Sequence, residues 1–577
     1  MNVSAVLPGT SLTVSPLPGS DDASPQTQIS LLGVPAAELQ GVRVTGSRSG
    51  AHRGGLRAYS QGDGASFLAA RPFLAGETVA VQGSIVATPA GPIRFGFRFT
   101  VAHEDVLPRV IPPHVHARDL NEKQQFHSQP LLQPPALTIS ARSPATAPGL
   151  VFAAPYGGPG ASGPMIFDEA GNLVWFHPLA QGTEATNLQL QQLDGNPVLS
   201  WWQGYIAPQG FGDGEEIIAD SSYRQIASVH AGNGYAADLH DFHLTGANTA
   251  LLTAFAPIDC DLAAVGGPRA SAVSDSLIQE VDLATGLVRR EWHGLDHVAL
   301  GDSYSAPAGA SLAWPYDYLH LNSVDPPAGG RTLLSARNTW ALYELDWSTG
   351  QVLTRIGGRH SDVKLLAGAA TAYQHDAARL PDGTISIFDN GGLPKVHAES
   401  RGVLVEVDPD TKTDTILAQY EHPSPLTSGS QGNVEVLANG DVFIGWGAAP
   451  YFSEFSAGGQ LLFDAHMPGS YESYRAYRFP WTGAPATLPA IAVSPPAGAA
   501  AQGAAPLTVY ASWNGDTRTA SWRVLAGPSA QQLSPVAAAP RSGFETAISV
   551  PAPQPFIAAQ ALDASGTVLA TSPAIAG

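Results

Sequence analysis

The sequence predicts an all-β chain, a six-bladed β-propeller flanked by an N-terminal and a C-terminal β-sandwich, and three observations carry that prediction. A strand–turn–strand element recurs six times through the middle of the chain, a second hairpin alternates with it, and no segment has the long 3.6-residue apolar period of an amphipathic helix. Composition agrees: 61 glycines and 48 prolines in 577 residues, with only 14% charged residues, suit many short strands joined by turns. A chain of this length exceeds what one apolar core usually organises, so the core must be divided among domains or built by repetition.

Residues 10 to about 103 alternate apolar and polar side chains in short runs, among them Val42-Arg43-Val44, Thr78-Val79-Ala80-Val81 and Phe95-Gly96-Phe97-Arg98-Phe99. This period of two predicts the strands of a small sandwich, bounded as residues 1–105. A Pro/Gln-rich stretch from Leu107 to Pro135 reads as a linker, 106–135. The repeats then fill 136–482. Their first element is represented by Ile166-Phe167-Asp168-Glu169-Ala170-Gly171-Asn172-Leu173, Val281-Asp282-Leu283-Ala284-Thr285-Gly286-Leu287-Val288 and Leu345-Asp346-Trp347-Ser348-Thr349-Gly350-Gln351-Val352. Its turns fall near residues 171, 222, 285, 349, 411 and 458.

The alternating hairpins run from His240 to Phe255, His320 to Arg337, His375 to Asn390 and Gly432 to Gly447, with a further copy from Leu188 to Trp202. Two hairpins per period make a four-stranded blade, and closing six blades about an axis removes long exposed edges. Past the Ala/Pro/Gly-rich segment Pro485–Pro506, strands at Leu507–Tyr510, Ala520–Val524 and Phe556–Ala561 predict a second sandwich, 483–577, of the fibronectin or immunoglobulin kind.

A formal net charge of −20 with four lysines argues against nucleic-acid partners, because phosphate binding needs clustered cations. One cysteine, Cys260, excludes an internal disulfide and a thiolate metal site. Met1 to Gly9 lacks a basic segment followed by an apolar run, and no window reaches the length of a membrane span. Partners are expected to be small molecules.

Aligning the second hairpins on their turns places His240, His320 and His375 at one repeat position, where Gln431-Gly432-Asn433 stands in the next copy. Equivalent positions form a ring about a propeller axis, so the three imidazoles should converge. His243 is three residues from His240, and strand alternation predicts that only one of the two faces the channel. Arg337 closes an apolar run, Leu333-Leu334-Ser335-Ala336-Arg337, and needs an anionic partner, either a structural carboxylate or a substrate. Arg401, Arg475 and Arg478 are weaker candidates for the same task. Among the aromatics, Trp340 and Trp446 lie near the channel motifs and are the candidates for stacking on an aromatic ring of a ligand.

The segments Asp238-Leu239-His240-Asp241-Phe242, Leu319-His320-Leu321-Asn322-Ser323-Val324-Asp325, Ser335-Ala336-Arg337-Asn338-Thr339, Gln374-His375-Asp376, Phe388-Asp389-Asn390-Gly391 and Gln431-Gly432-Asn433-Val434 resemble the bacterial arylsulfotransferase family. The resemblance implies PAPS-independent transfer of a sulfuryl group from a phenolic sulfate ester to a phenol, without cofactor or metal. It implies a nucleophile at His375, support from His320, His240 and Arg337, and substrate contacts from Asn322 and, less directly, Asn433. An extracytoplasmic location is implied too, although the family's periplasmic members use disulfide chemistry that one cysteine cannot supply internally. The residue types suit the reaction: positive donors steady charge spread over equatorial oxygens, and a neutral imidazole splits one displacement into two. Two rival readings are a zinc hydrolase built on the three histidines and a non-enzymatic propeller that binds a ligand or glycan.

Overall fold

A computed structural model describes residues 2–86, 91–106, 109, 120–494, 507–551 and 554–577; His116 and most of the 106–119 and 495–506 segments discussed above lie outside the described residues. The chain is all-β, and its described helices are single 3-10 turns such as Ala36–Glu38 and Leu300–Asp302. Among the described residues no helix is long and apolar enough to cross a membrane.

The repeat seen in the sequence is physically an Asx turn. Asp168, Asp220, Asp282, Asp346 and Asp408 stand at or just past the end of a strand, and the Oδ1 of each accepts the backbone N–H two residues on, at 2.9, 2.9, 3.1, 2.9 and 2.8 Å. A side-chain oxygen thus reverses the chain before the next strand begins. In the last copy Ser456 Oγ closes the turn instead by accepting the backbone N–H four residues on, from Gln460, at 3.1 Å. Gly171, Gly286 and Gly350 hold φ of +80°, +70° and +73° within these turns, where Tyr223 and Lys412 adopt +62° and +51° at the cost of a Cβ clash.

The turns sit within six successive antiparallel ring sheets. The first joins Leu150–Tyr156, Met165–Phe167 and Leu173–Phe176 to the distant strand Glu472–Phe479, so the last strand of the repeat region completes the first sheet. The second runs through Glu184–Leu193, Asn196–Ile206, Gly212–Ala219 and Gln225–Val229. The third comprises Phe242–Leu244, Thr249–Cys260, Ser271–Asp282 and Val288–His293. Leu321–Val324, Arg331–Ala336, Ala341–Asp346 and Val352–Gly357 form the fourth. The fifth adds a short parallel strand, Lys364–Leu365, to His375–Arg379, Ile385–Asp389, Arg401–Asp408 and Thr413–Glu421. The sixth adds Thr138–Arg142 to Asn433–Val436, Val442–Gly445, Tyr451–Phe455 and Leu461–His466.

Each sheet buries apolar side chains against its neighbour. Leu199 and Trp201 meet Phe152 between the first two sheets, Phe242 and Leu252 meet Val198 and Ile218 between the next two, and Leu321 and Leu334 meet Leu251 and Ile278 beyond them. Leu333 and Leu342 meet Ile385 and Val403, Phe388 meets Val434 and Ile444, and Phe443 and Phe452 meet Val151 and Phe167. The last contact returns to the first sheet, so the stack closes on itself.

Two further pairs of sheets flank the ring. At the N-terminal end, Phe95, Phe97 and Phe99 alternate inward along Ile93–Thr100 and share one core with Ile29, Leu31 and Phe67 of the facing sheet. This unit docks on the third ring sheet through Arg289 and Asp63 (2.9 Å), Tyr59 OH donating to Val288 O (2.9 Å) and Ser60 Oγ donating to Asp282 (2.7 Å). The C-terminal sheets close over Trp522, Val524 and Ile557, and Asn514 makes reciprocal amide bonds of 3.0 and 2.9 Å to Phe176 on the first ring sheet.

Candidate active site

His240 precedes the first strand of the third sheet by two residues, His320 precedes that of the fourth by one, and His375 opens that of the fifth. Their common repeat position brings them together, with exposures of 2%, 0% and 1%. His240 Nε2 lies 3.1 Å from His320 Nε2, with the rings at 90°. The edge of Tyr474 meets His240 (5.4 Å between centroids) and His375 (6.3 Å), while Phe211 and Phe255 wall the His320 side at 5.5 and 5.7 Å.

The backbone here is strained. His320, Trp340, Tyr373, Asp376 and Gln431 take φ of +53°, +53°, +62°, +51° and +67°. Non-glycine residues in the left-handed region cost on the order of 1 kcal/mol or more each, and such residues cluster where side chains must be aimed rather than merely packed.

The hydrogen-bond partners fix the tautomers. His240 Nδ1 pairs with Asp238 Oδ2, and His320 Nδ1 donates to Asp317 Oδ2 at 2.6 Å. Asp238 also accepts from Gly212 N, His240 N and Thr253 Oγ1 at 2.6, 3.0 and 3.2 Å, so it acts only as an acceptor. Both imidazoles therefore carry hydrogen on Nδ1, and their Nε2 atoms face each other at 3.1 Å. Each ring of the pair has a carboxylate behind it. Burial first, and the Arg337 guanidinium second, push the His320 imidazole down to about 4, even with Asp317 beside it.

His375 is held differently. Its Nδ1 donates to the Asn390 amide oxygen at 2.7 Å, with Tyr373 O at 3.1 Å, and its Nε2 accepts the Gln431 N–H at 3.1 Å. Asn390 is itself anchored through Nδ2 to Gln431 O (3.0 Å) and Ser428 O (3.2 Å). Burial, then Arg337, hold the His375 imidazole well below its usual range. The ring is neutral, with its unprotonated Nε2 facing away from Asn390.

Arg337 is partly exposed, donates to Asp317 Oδ2 at 3.0 Å and to Asn338 Oδ1 at 3.1 Å, and lies 4.7 Å over the Tyr373 ring. The anionic partner expected from its apolar run is Asp317. Asn322 donates through Nδ2 to Gln374 O (2.7 Å), next to His375, and its buried Oδ1 has no hydrogen-bond partner. Asn433 spends both ends of its amide on Ala476, at 2.7 and 2.9 Å, tying the sixth sheet to the closing strand.

His243 points instead to Asp241, at 3.1 Å, so His240 alone of the two reaches the cluster. One face of Trp340 is covered by Tyr304, with rings 3.7 Å apart and 8° from parallel. Trp446 is fully buried beside Phe388 and donates to Ser453 Oγ at 2.9 Å, so it is core and leaves no face for a phenol. Arg475, Arg401 and Arg478 are consumed by Asp241 (2.9 Å), Asp389 (3.0 Å) and Glu454 (2.7 Å).

The structure adds Asp238, Asp317, Asn390, Tyr373 and Tyr474 to the residues expected. Asp238 and Asp317 had a signal in the sequence, an aspartate two or three residues before each histidine. Asn390 stood within the family-like segment Phe388-Asp389-Asn390-Gly391, one strand after His375, without a role assigned to it. Tyr474 comes from the closing strand, 152 residues beyond Asn322, whose carbonyl its hydroxyl faces at 3.4 Å. Among the described residues, the group of three potential metal-ligand side chains is Asp22, Asp275 and His293, outside the cluster of His240, His320 and His375.

The model of the Arylsulfotransferase (ASST) family matches residues 189–467, which contain every one of these histidines. No curated protein matches the chain. Similar solved structures include a protein of unknown function from Bacteroides caccae, at 12% identity and TM-score 0.36, covering 57% of this chain and 98% of that one. Another is a catalytically inactive virginiamycin B lyase from Staphylococcus aureus with quinupristin, at 9% identity and TM-score 0.27, covering 66% and 97%.

Proposed function

We propose that this chain, whose residues 189–467 belong to the arylsulfotransferase family, moves a sulfuryl group from a phenolic sulfate ester to a phenol through a covalent sulfohistidine at His375, independently of PAPS. The observation that supports this most is the contrast, in one buried cluster, between an amide-backed imidazole kept neutral by burial and a facing pair of carboxylate-backed imidazoles, the proton donor in this proposal. The architecture that goes with it is a six-bladed propeller over 136–482, with a sandwich at 1–105 and another at 483–577, in a protein that acts outside the cytoplasm.

His375 Nε2 attacks the sulfur of the donor. The N–S bond forms as the S–O bond to the aryl group breaks, and the departing aryl oxide takes the proton held between His240 and His320. Arg337, the most exposed member of the cluster, holds two sulfuryl oxygens with its fork and marks the side of entry. The Gln431 N–H, which caps Nε2 at rest, turns to a sulfuryl oxygen as Nε2 is used. Asn322 keeps the Gln374 carbonyl, and with it His375, in place. In the return half the acceptor phenol gives its proton to the pair, its oxygen attacks sulfur, the N–S bond breaks and neutral His375 is restored.

Incubation with 4-nitrophenyl sulfate, with and without a second phenol, tests this. Phenol-dependent release of nitrophenolate and a transient gain of one sulfuryl group in the intact mass are expected. No release and no adduct across a panel of aryl sulfates would leave the binding-propeller reading standing, and release without any adduct would overturn the sulfohistidine at His375.

A further inference from the structure

The N-terminal unit meets the third ring sheet at a buried group of charged side chains that sulfuryl transfer does not use. Asp22 comes from the N-terminal unit, Asp275 from the strand Ser271–Asp282, and His293 ends the strand Val288–His293. They are 2%, 0% and 5% exposed. His293 Nδ1 stands 2.7 Å from Asp275 Oδ2 and 3.8 Å from Asp22 Oδ2, and one ligand atom from each residue lies within 4.8 Å of the others.

The charges do not balance within the protein. His293 faces three carboxylates, since its Nε2 also meets Glu291 Oε1 at 3.2 Å. Glu291 is satisfied by the amides of Asn233 (2.8 Å) and Gln279 (2.5 Å), and Asp275 Oδ1 accepts Leu295 N at 3.1 Å. Asp22 has only the 3.8 Å ion pair with His293: both of its carboxylate oxygens are buried and without a hydrogen-bond partner, and one of them faces the other two ligand atoms. One imidazolium cannot offset three buried carboxylates, and an unpaired buried charge is strongly unfavourable.

We propose that Asp22, Asp275 and His293 bind one divalent cation of the zinc or manganese class, pinning the N-terminal unit to the ring. One imidazole nitrogen with two carboxylate oxygens suits these ions better than calcium, which takes six to eight oxygens. Bonds of about 2.1 Å to such an ion put ligand atoms roughly 3–3.5 Å apart, within the range this group spans. The Nε2–H of His293 on Glu291, itself held by two amides, is the outer support that orients a metal-binding imidazole. Burial of all three ligands makes the role structural, separate from His375.

The test is elemental analysis of the full chain purified without chelator, followed by melting of chelator-treated protein with and without added Zn²⁺ or Mn²⁺. Roughly one ion per chain is expected, and restoring it should raise the melting temperature by about 4 °C or more. Asp22→Asn separates this from a purely ionic cluster by sign. If an ion is held, the variant loses at least nine-tenths of the bound metal and melts lower than wild type in Zn²⁺. If the cluster holds only protons, removing an unpaired buried charge leaves melting unchanged or raises it, which overturns the proposal. Wild-type protein that carries under a tenth of an equivalent, with melting insensitive to both ions, overturns it even if the variant fails to fold. So does metal retained in full by Asp22→Asn.

Discussion

His375 and the His240–His320 pair occupy the same repeat position in adjacent sheets, yet their second ring nitrogens meet different groups. Behind His240 and His320 stand the carboxylates of Asp238 and Asp317; behind His375 stands the amide of Asn390. A carboxylate behind Nδ1 favours a charged imidazole more than an amide does, and it turns the Nε2 of each ring toward the other. An amide oxygen accepts the Nδ1–H without adding charge, which leaves Nε2 of His375 as a lone pair. One fold position thus has two electrostatic settings according to a single neighbouring side chain, and the proposed division of labour between acid and nucleophile rests on that difference.

The largest expected effect comes from removing the nucleophile. His375→Asn should lower transfer by at least about ten-thousand-fold and abolish the sulfuryl adduct in the intact mass. Turnover that survives with the adduct would move the nucleophile to another residue and break the comparison. Next in size is the proposed proton donor. His240→Gln or His320→Gln should lower transfer by about 10²–10³-fold for phenyl sulfate, but much less for 4-nitrophenyl sulfate, whose leaving group needs little help. Equal losses with both donors would show that the pair only positions.

Much of this site was legible before the structure, because repetition turns sequence alignment into spatial alignment. His240, His320 and His375 share a register that the turns of the second hairpins make plain in the sequence. The same alignment put Asn433 among the channel residues, where the amide is consumed by the closing strand. Trp340 and Trp446 fared unequally for a physical reason: proximity along the chain to a channel motif does not fix which way a ring faces. Tyr474 was hidden because it reaches the cluster through the ring closure, and Asn390, though within a singled-out segment, because its contact with His375 crosses a strand pairing. The separate group at Asp22, Asp275 and His293 was hidden too, since its members come from different units.

Asn390→Asp tests the contrast directly, by giving His375 the backing that His240 and His320 have. The added carboxylate favours the imidazolium, so His375 should take up a proton nearer the ordinary imidazole range. The expected result is roughly tenfold lower transfer at pH 6, with recovery toward wild type at pH 8. A loss that is the same at both pH values would mean that Asn390 acts by shape alone.

The smallest effect concerns stability. His375 and His320 bind a proton less readily in the folded chain than in the unfolded one, where the usual value is 6.5; His320 is pushed down to about 4. As pH falls the unfolded chain therefore takes up protons first, so the stability linked to these neutral rings is complete above about 6.5 and is lost progressively toward about 4. Melting temperature measured from pH 7 to pH 4.5 should fall, and replacing His375 with Asn should make that fall shallower because one of the two rings no longer has to remain uncharged. An unchanged slope would mean that His375 binds its proton as readily in the folded chain as in the unfolded one, and burial with the amide behind it would then have no electrostatic part in making it a nucleophile.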